Sequence, residues 1–574
     1  MKTASDKGTD VKKATVTQQE MVQDKKGRGS AWLIFGAYAV LLILVSCCHE
    51  PWHDEAEAWQ MSKASLKDIL FYIPHYEGHP ALWYLILSIP SKLGVPYEIG
   101  LKTIACGAAL VYGWLLLFQS PFPKIIKCSL PFHYFLFYQY GVLSRPYGLM
   151  VICFLLMAMA FQGRNEKPWR FLLPMAFACG LSGYGIVLAG GICAAWVLEI
   201  CVEKHWKLFS LSFWKDKRIL GLFLMLVLAV LITLEIMPRP DTYAMNRTPR
   251  NTIIVRLIYT LFMMLPDSTA ITVLEGAAFL NMATITIPVI LVGVVIGVCL
   301  LTANTMFASK KTLVYFFLPY LFFTIFSACV YFCAHHIGIV LIFTIFWLWI
   351  TMEDPEKLWL GKKCKEKIKL AESDKKTVSG AGKVALAILI LIPLYWTVGA
   401  SYLEITLPFY YSREMASFLK ETGLSELKIM GGFDESIPEL FEPGDDLMQY
   451  VNTELVSRPV SVVPYFQHNI CMNLNMGKDD AGYSLHRVPS AEENRETIRA
   501  WQQMGHPDVI IDDEGMFILI GNQSLYSEYA IVYEYAPYPN IWKAFLSKYN
   551  VVGKGYVYLK KDLLEQYGLE EIPR

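Results

Sequence analysis

"AWLIFGAYAVLLILVSCCHEPWHDEAEAWQ" (residues 31–60) decides how this chain is read. Its first 18 residues carry no charge. At 1.5 Å per residue such a run reaches about 27 Å, close to the ~30 Å hydrocarbon core of a bilayer. The next twelve include His49, Glu50, His53, Asp54, Glu55 and Glu57. Two readings compete for them. They are ordinary solvated loop residues after a membrane helix, or they belong to a site at the membrane surface. Ionised groups beside hydrocarbon are costly unless partnered, which favours the second.

Working outward, the preceding "DKKGRGS" (24–30) sets Lys25, Lys26 and Arg28 against the apolar run, behind a polar tail that fills residues 1–30. That order reads as an uncleaved signal anchor with the amino terminus in the cytoplasm. The whole chain of 574 residues is 54% hydrophobic and 14% aromatic, with a mean hydropathy of +0.37. Soluble domains do not have that composition, so the class is an α-helical polytopic membrane protein. Lys and Arg number 51, as do Asp and Glu, which leaves no basic field to attract nucleic acid. Most of the 13 cysteines lie in apolar runs and read as small hydrophobes rather than as disulfide or metal positions.

Further apolar runs lie near 98–119, 125–143, 147–163, 170–182, 184–201, 219–237, 283–303, 311–332, 336–352 and 383–402. The basic stretches "FPKIIK" (122–127), "GRNEKPWR" (163–170), "EKHWKLFSLSFWKDKR" (203–218), "SKK" (309–311) and "EKLWLGKKCKEKIKLAESDKK" (356–376) can all be cytoplasmic at once. About eleven transmembrane helices over 31–402 then satisfy the positive-inside rule. "HPALWYLILSIPSKLG" (79–94) is short and interrupted by Pro90, so it is expected as an interfacial or re-entrant helix. On the outer side this places the first loop 49–97, "SRPYG" (144–148), "SGYG" (182–185), the loop 238–282 and "CAHH" (333–336). Beyond 402, "LKIMGG" (427–432), "PVSVVPYF" (459–466), "PDVIIDD" (507–513) and "YAIVYEY" (529–535) read as buried strands, and "SAEENRETIRAWQQMG" (490–505) as an amphipathic helix. Residues 403–574 are therefore expected to form an extracytoplasmic α/β domain.

Polar residues of chemical interest thus gather on one face. Asp54 and Glu55 can supply a base, since neighbouring carboxylates raise one another's pKa. His79 stands before Pro80 at a helix start. Arg145 and Tyr147 either snorkel to the headgroups or hold a phosphate. His335 and His336, adjacent, cannot share a metal by themselves, and one of them could contact a phosphate or join Asp54 or Glu55 at a metal. Asp241 adds a further outer charge.

Together, "HDEAEAW" (53–59), "EGHPALWYLIL" (77–87), "SRPYGLM" (144–150) and "HHIGIVL" (335–341) resemble the GT-C glycosyltransferases over roughly residues 30–350. The nearest likeness is to glycosyltransferase family 39, the type of the protein O-mannosyltransferases and the lipid A aminoarabinose transferases. Ala81 stands where that family commonly has a second proline. The resemblance implies a polyprenyl-phosphate sugar donor, presented at the outer leaflet of the bilayer and passed through an oxocarbenium-like state. It makes Asp54 the base, gives Glu55 the acceptor or a cation to hold, and sets Arg145 with His335 or His336 on the phosphate. His79, Tyr147 and Asp241 fall to substrate binding. No cofactor is required beyond a candidate divalent cation whose ligands stay unassigned, and the acceptor (protein, lipid or wall glycan) is left open. A bacterial plasma membrane is the expected location. The rival class is a transporter or lipid flippase, which wants charges buried mid-helix and related halves; this sequence has neither.

Overall fold

The computed structural model describes residues 29–206, 210–242, 250–270, 287–306, 308–332, 336–356, 375–406, 410–431, 458–472, 505–513, 528–535 and 555–573, with scattered residues between 474 and 503. Helix α1 covers Gly29–Cys48. Four short helices follow: α2 (His53–Lys63), α3 (Leu66–Phe71), α4 (Pro74–Glu77) and α5 (Leu82–Lys92). The longest has 11 residues, about 16 Å by the helical rise, so none of them crosses a bilayer. They pack around Trp59, Trp83, Tyr84 and Leu87, an apolar cluster separate from that of the main bundle. Helix α5, expected from the sequence as a short helix, carries Pro90 in its last turn.

Helix α6 (Tyr97–Trp114) continues as a π-helical turn to Gln119. After it come α7 (Tyr147–Ala160), α8 (Pro168–Leu181), α9 (Gly183–Glu203), α10 (Lys217–Glu235), α11 (Ile253–Ala270), α12 (Ile287–Met306), α13 (Lys310–Cys329), α14 (Ile337–Glu353) and α15 (Lys375–Thr406). Among the described residues seven helices are long and apolar enough to cross a membrane: α1, α6 with its π turn, α9, α10, α11, α13 and the Leu386–Thr406 part of α15. The protein is a helical polytopic membrane protein.

Three expectations change. The loop 238–282 contains α11, because Asp267, which interrupts the apolar run in sequence, is buried and accepts the Tyr259 hydroxyl at 2.8 Å. The run 125–143 is broken into a helix (Lys124–Ser129), a 3₁₀ turn (Leu130–Phe132) and a π-helix (Phe135–Val142). Pro131, lacking an amide hydrogen, cannot continue an α-helical ladder there. The segment "PVSVVPYF", which begins at Pro459 and contains Pro464, forms 3₁₀ turns in place of a strand.

The carboxy-terminal sheet has β1 (Ile429–Gly431), β2 (Val509–Asp513), β3 (Tyr529–Tyr535) and β4 (Gly555–Lys560) in the order β1-β2-β4-β3. Strands β1 and β2 run parallel, and the other pairs antiparallel. Helix α16 (Ser412–Glu421) lays Met415, Ala416 and Leu419 on the same core as Ile429, Val509 and Val557. Strand β4 was not expected from the sequence, and the helix read over 490–505 falls mostly outside the described residues.

Side-chain contacts sort the connections to two ends. At one, Arg164 meets Glu199 and Tyr315, Arg218 meets Glu203 and Asp216, and Ser309 meets Asp354. Every basic loop that is described here lies at this end. At the other, the first loop meets residues 144–147, the end of α15 and the carboxy-terminal unit.

Candidate active site

Helix α2 starts at His53 behind Trp52, whose amide donates to Glu55 Oε2 at 3.1 Å. Successive residues on a helix point about 100° apart, so Asp54 and Glu55 cannot share a task. Glu55 turns inward and is fully buried. Its Oε2 lies 2.9 Å from His49 Nε2, and its Oε1 accepts the Ser144 amide at 2.5 Å. The other His49 nitrogen, Nδ1, lies 2.7 Å from Glu404 Oε1 near the end of α15, and Tyr138 donates its hydroxyl to the second Glu404 oxygen. Burial by itself pushes the His49 pKa down, but the two carboxylates carry it up to about 10. An imidazolium between two carboxylates is tolerable in a buried place only with its hydrogen bonds complete, and here they are. Glu55 therefore fixes the first loop against residue 144 and the last membrane helix.

Asp54 turns the other way and stays one-third exposed, with Oδ2 2.7 Å from Arg145 Nη1. The backbone before Pro146 aims Arg145: Ser144 is held by Glu55, and the Arg145 amide donates to Leu143 at 3.0 Å. The guanidinium also lies over the Trp52 indole, 5.9 Å from its centre. Its remaining donors meet no hydrogen-bond acceptor among the described residues.

His79 comes from Gly78, whose φ of +64° closes α4 in the left-handed region that glycine favours. The imidazole is partly buried and makes no hydrogen bond among the described residues. Burial first, and then the charge of Arg145, hold its pKa down to about 4. It is a neutral ring facing an ion pair.

The other expected residues stand further back. His336 is fully buried; Nε2 meets the Tyr147 hydroxyl at 2.9 Å and Nδ1 the Tyr184 hydroxyl at 3.2 Å. Tyr184 donates its only hydroxyl proton to the Tyr331 carbonyl at 2.7 Å, so Nδ1 of His336 must be the donor toward Tyr184. The ring thus orients Tyr147 and does not face solvent. His335 lies outside the described residues. Asp241 sits at the rim, accepting from Arg487 Nε at 2.8 Å and the Tyr76 hydroxyl at 3.2 Å.

Sequence reasoning missed the carboxy-terminal contribution. His486 Nδ1 lies 3.0 Å from Glu77 Oε1. Burial opposes its charge, yet Glu77 raises its pKa to about 9, helped by Glu57 and Asp54. Arg413 donates its amide to Glu50 at 2.5 Å and its side chain to Glu98 at 2.7 and 2.8 Å. One signal was available: Glu50 and Glu98 flank the first loop as acids whose counter-charges are not all nearby in sequence. Among the described residues, no three His, Cys, Asp or Glu side chains are placed to hold a metal ion.

No family model, curated protein or solved structure matches this chain. What the site can do follows from its residues. A carboxylate, a neutral imidazole and a guanidinium with donors to spare converge at one end of a membrane bundle, on a loop pinned from beneath.

Proposed function

We propose that this protein is a membrane glycosyltransferase of the GT-C kind, moving a sugar from a polyprenyl-phosphate donor to a hydroxyl acceptor. The observation that carries the reading is the Asp54–Arg145 pair, 2.7 Å apart, with the unbonded His79 beside it. In this reading the basic loops are cytoplasmic and the site faces outward from a bacterial plasma membrane. Residues 403–574 form an extracytoplasmic domain, docked through Arg413 and His486, that frames the acceptor's approach.

The transfer breaks the bond from the anomeric carbon to a phosphate oxygen and forms one to the acceptor oxygen. The acceptor's proton goes to a base, and polyprenyl phosphate departs with the negative charge. Arg145 suits the departing group, since a guanidinium offers planar, paired donors to phosphate. Once the phosphate draws on the guanidinium, the hold of Arg145 on Asp54 weakens and the carboxylate can receive the acceptor proton. His79, neutral, can bond a sugar or acceptor hydroxyl without adding charge. Glu55 and His336 position the loop and Tyr147 without touching substrate.

The test is transfer from a panel of radiolabelled polyprenyl-phosphate sugars, in membranes carrying wild type, Asp54→Asn or Arg145→Ala at matched expression. One donor should be consumed by wild type and by neither variant. If no donor turns over, or the variants keep pace with wild type, the reading fails.

A further inference from the structure

A cavity of about 800 Å³ lies between α1, residues 122–133, α14 and the first half of the apolar part of α15, a size that takes a sizeable ligand. Leu341, Ile345, Leu348, Leu389 and Leu394 make its walls apolar. Ile34, Met352 and Leu386 place it toward the end that carries the basic loops, away from Asp54 and Arg145.

Two features say what fills it. One wall, Lys124 to His133, is a short helix followed by a 3₁₀ turn. Its backbone keeps internal hydrogen bonds, from the Lys127 amide to the Pro123 carbonyl and from the His133 amide to the Leu130 carbonyl, both at 3.0 Å, as backbone beside hydrocarbon must. The hydroxyl and imidazole side chains of the lining are already bonded internally: Ser129 to the Ile126 carbonyl, Thr344 to the Val340 carbonyl and His133 to the Thr269 carbonyl. They ask nothing of an occupant, which suits a hydrocarbon chain. The second feature is charge. Lys124 lines the cavity and is exposed, and Lys127 follows it one turn later. Neither has an ion-pair or hydrogen-bond partner among the described residues. Ile125, 56% exposed between them, and Leu391, 60% exposed on the facing helix, keep the surroundings apolar.

We propose that this cavity holds an acyl chain of an anionic phospholipid drawn from the leaflet at this end, with the lipid phosphate on Lys124 and Lys127. The site is separate from the proposed transfer chemistry and stands whether or not that reading does.

The test uses the full-length protein in discs of equal phosphatidylglycerol and phosphatidylcholine, with native mass spectrometry counting the lipid retained after release. Wild type should keep one phosphatidylglycerol, preferred about tenfold or more over phosphatidylcholine, as two lysines near a headgroup provide. Lys124→Gln with Lys127→Gln should erase the preference. These surface changes leave the core untouched, so the result does not depend on folding. Thr344→Trp, checked by its unfolding temperature, should lose both lipids by filling the cavity. Retention of no lipid, retention of a polyprenyl phosphate in place of a phospholipid, or an unchanged preference in the double lysine variant overturns the proposal.

Discussion

At the basic end Arg164 is buried and uses all three of its nitrogens, on the Tyr315 hydroxyl, the Phe161 carbonyl and Glu199. Arg218 does the same with Asp216, Glu203 and Asn165. At the opposite end Arg145 is also partly buried, yet one nitrogen alone is bonded to a side chain among the described residues, and the partner is an acid still open to solvent. Desolvating an arginine is costly, so a bonded set that is complete speaks for structure. An incomplete set speaks for a ligand that completes it. The same contrast runs between neighbours Asp54 and Glu55, one paired at the surface and the other sealed within.

Substitutions can break this contrast, and the largest effect should fall on Asp54. Asp54→Asn should lower transfer by about 10²–10⁴ through loss of the base while leaving the unfolding temperature near wild type. Arg145→Ala should follow, at roughly 10²–10³ from lost charge stabilisation. An equal fall in thermal stability for these variants and for Arg164→Ala would erase the distinction between the two ends. Glu55→Gln and Arg164→Ala should do the reverse. The first leaves the buried His49 with Glu404 alone and the second leaves Glu199 with Lys311 and Tyr315, so each should be read as a lower unfolding temperature with turnover per folded molecule retained.

A smaller effect sharpens the role of the carboxy-terminal unit. With its pKa raised from an ordinary 6.5 to about 9, His486 binds its proton more tightly in the folded chain. Its contribution is complete below pH ~6.5 and is lost as pH rises through about 9. Glu50, pushed up to about 8 chiefly by burial, loses its proton over part of the same window and adds to the trend. Unfolding temperatures should therefore fall from pH 6.5 to 9, and the slope should flatten in His486→Gln. A slope unchanged in that variant would mean that the Glu77 contact contributes nothing to docking. Smallest is Asp241→Asn at the rim, where a one-third-exposed pair with Arg487 should contribute about 0.2–1 kcal/mol in thermal unfolding.

Much of this was legible in the chain itself. Charge counting among loops separated the two ends, because Lys and Arg gather on one side of each apolar run while Asp54, His79 and Arg145 fall on the other. The strands at 509–513 and 529–535 showed as β-branched or aromatic runs, and the strand at 429–431 as part of the apolar stretch "LKIMGG". What could not be read depends on tertiary partners. Nothing local told Asp54 from Glu55, since their difference is the presence of His49, Ser144 and Glu404. His486 was invisible for the same reason, 409 residues from Glu77. Helix α11 was missed because Asp267 looks like a loop residue until Tyr259 is seen to bond it.

The bond between His49 and Glu404 joins residues 355 positions apart, and this sets an order on biosynthesis. His49 and Glu55 leave the ribosome early, one imidazolium and one carboxylate, while the second carboxylate arrives with the final membrane helix. Until then the loop bearing Asp54 has no finished anchor. A nascent chain cut short before residue 404 would carry every residue of the Asp54–Arg145–His79 cluster and still lack the geometry that brings them together. Under the proposed function, the arrival of the last membrane helix, and not the appearance of Asp54, Arg145 and His79, completes the anchor on which their geometry rests.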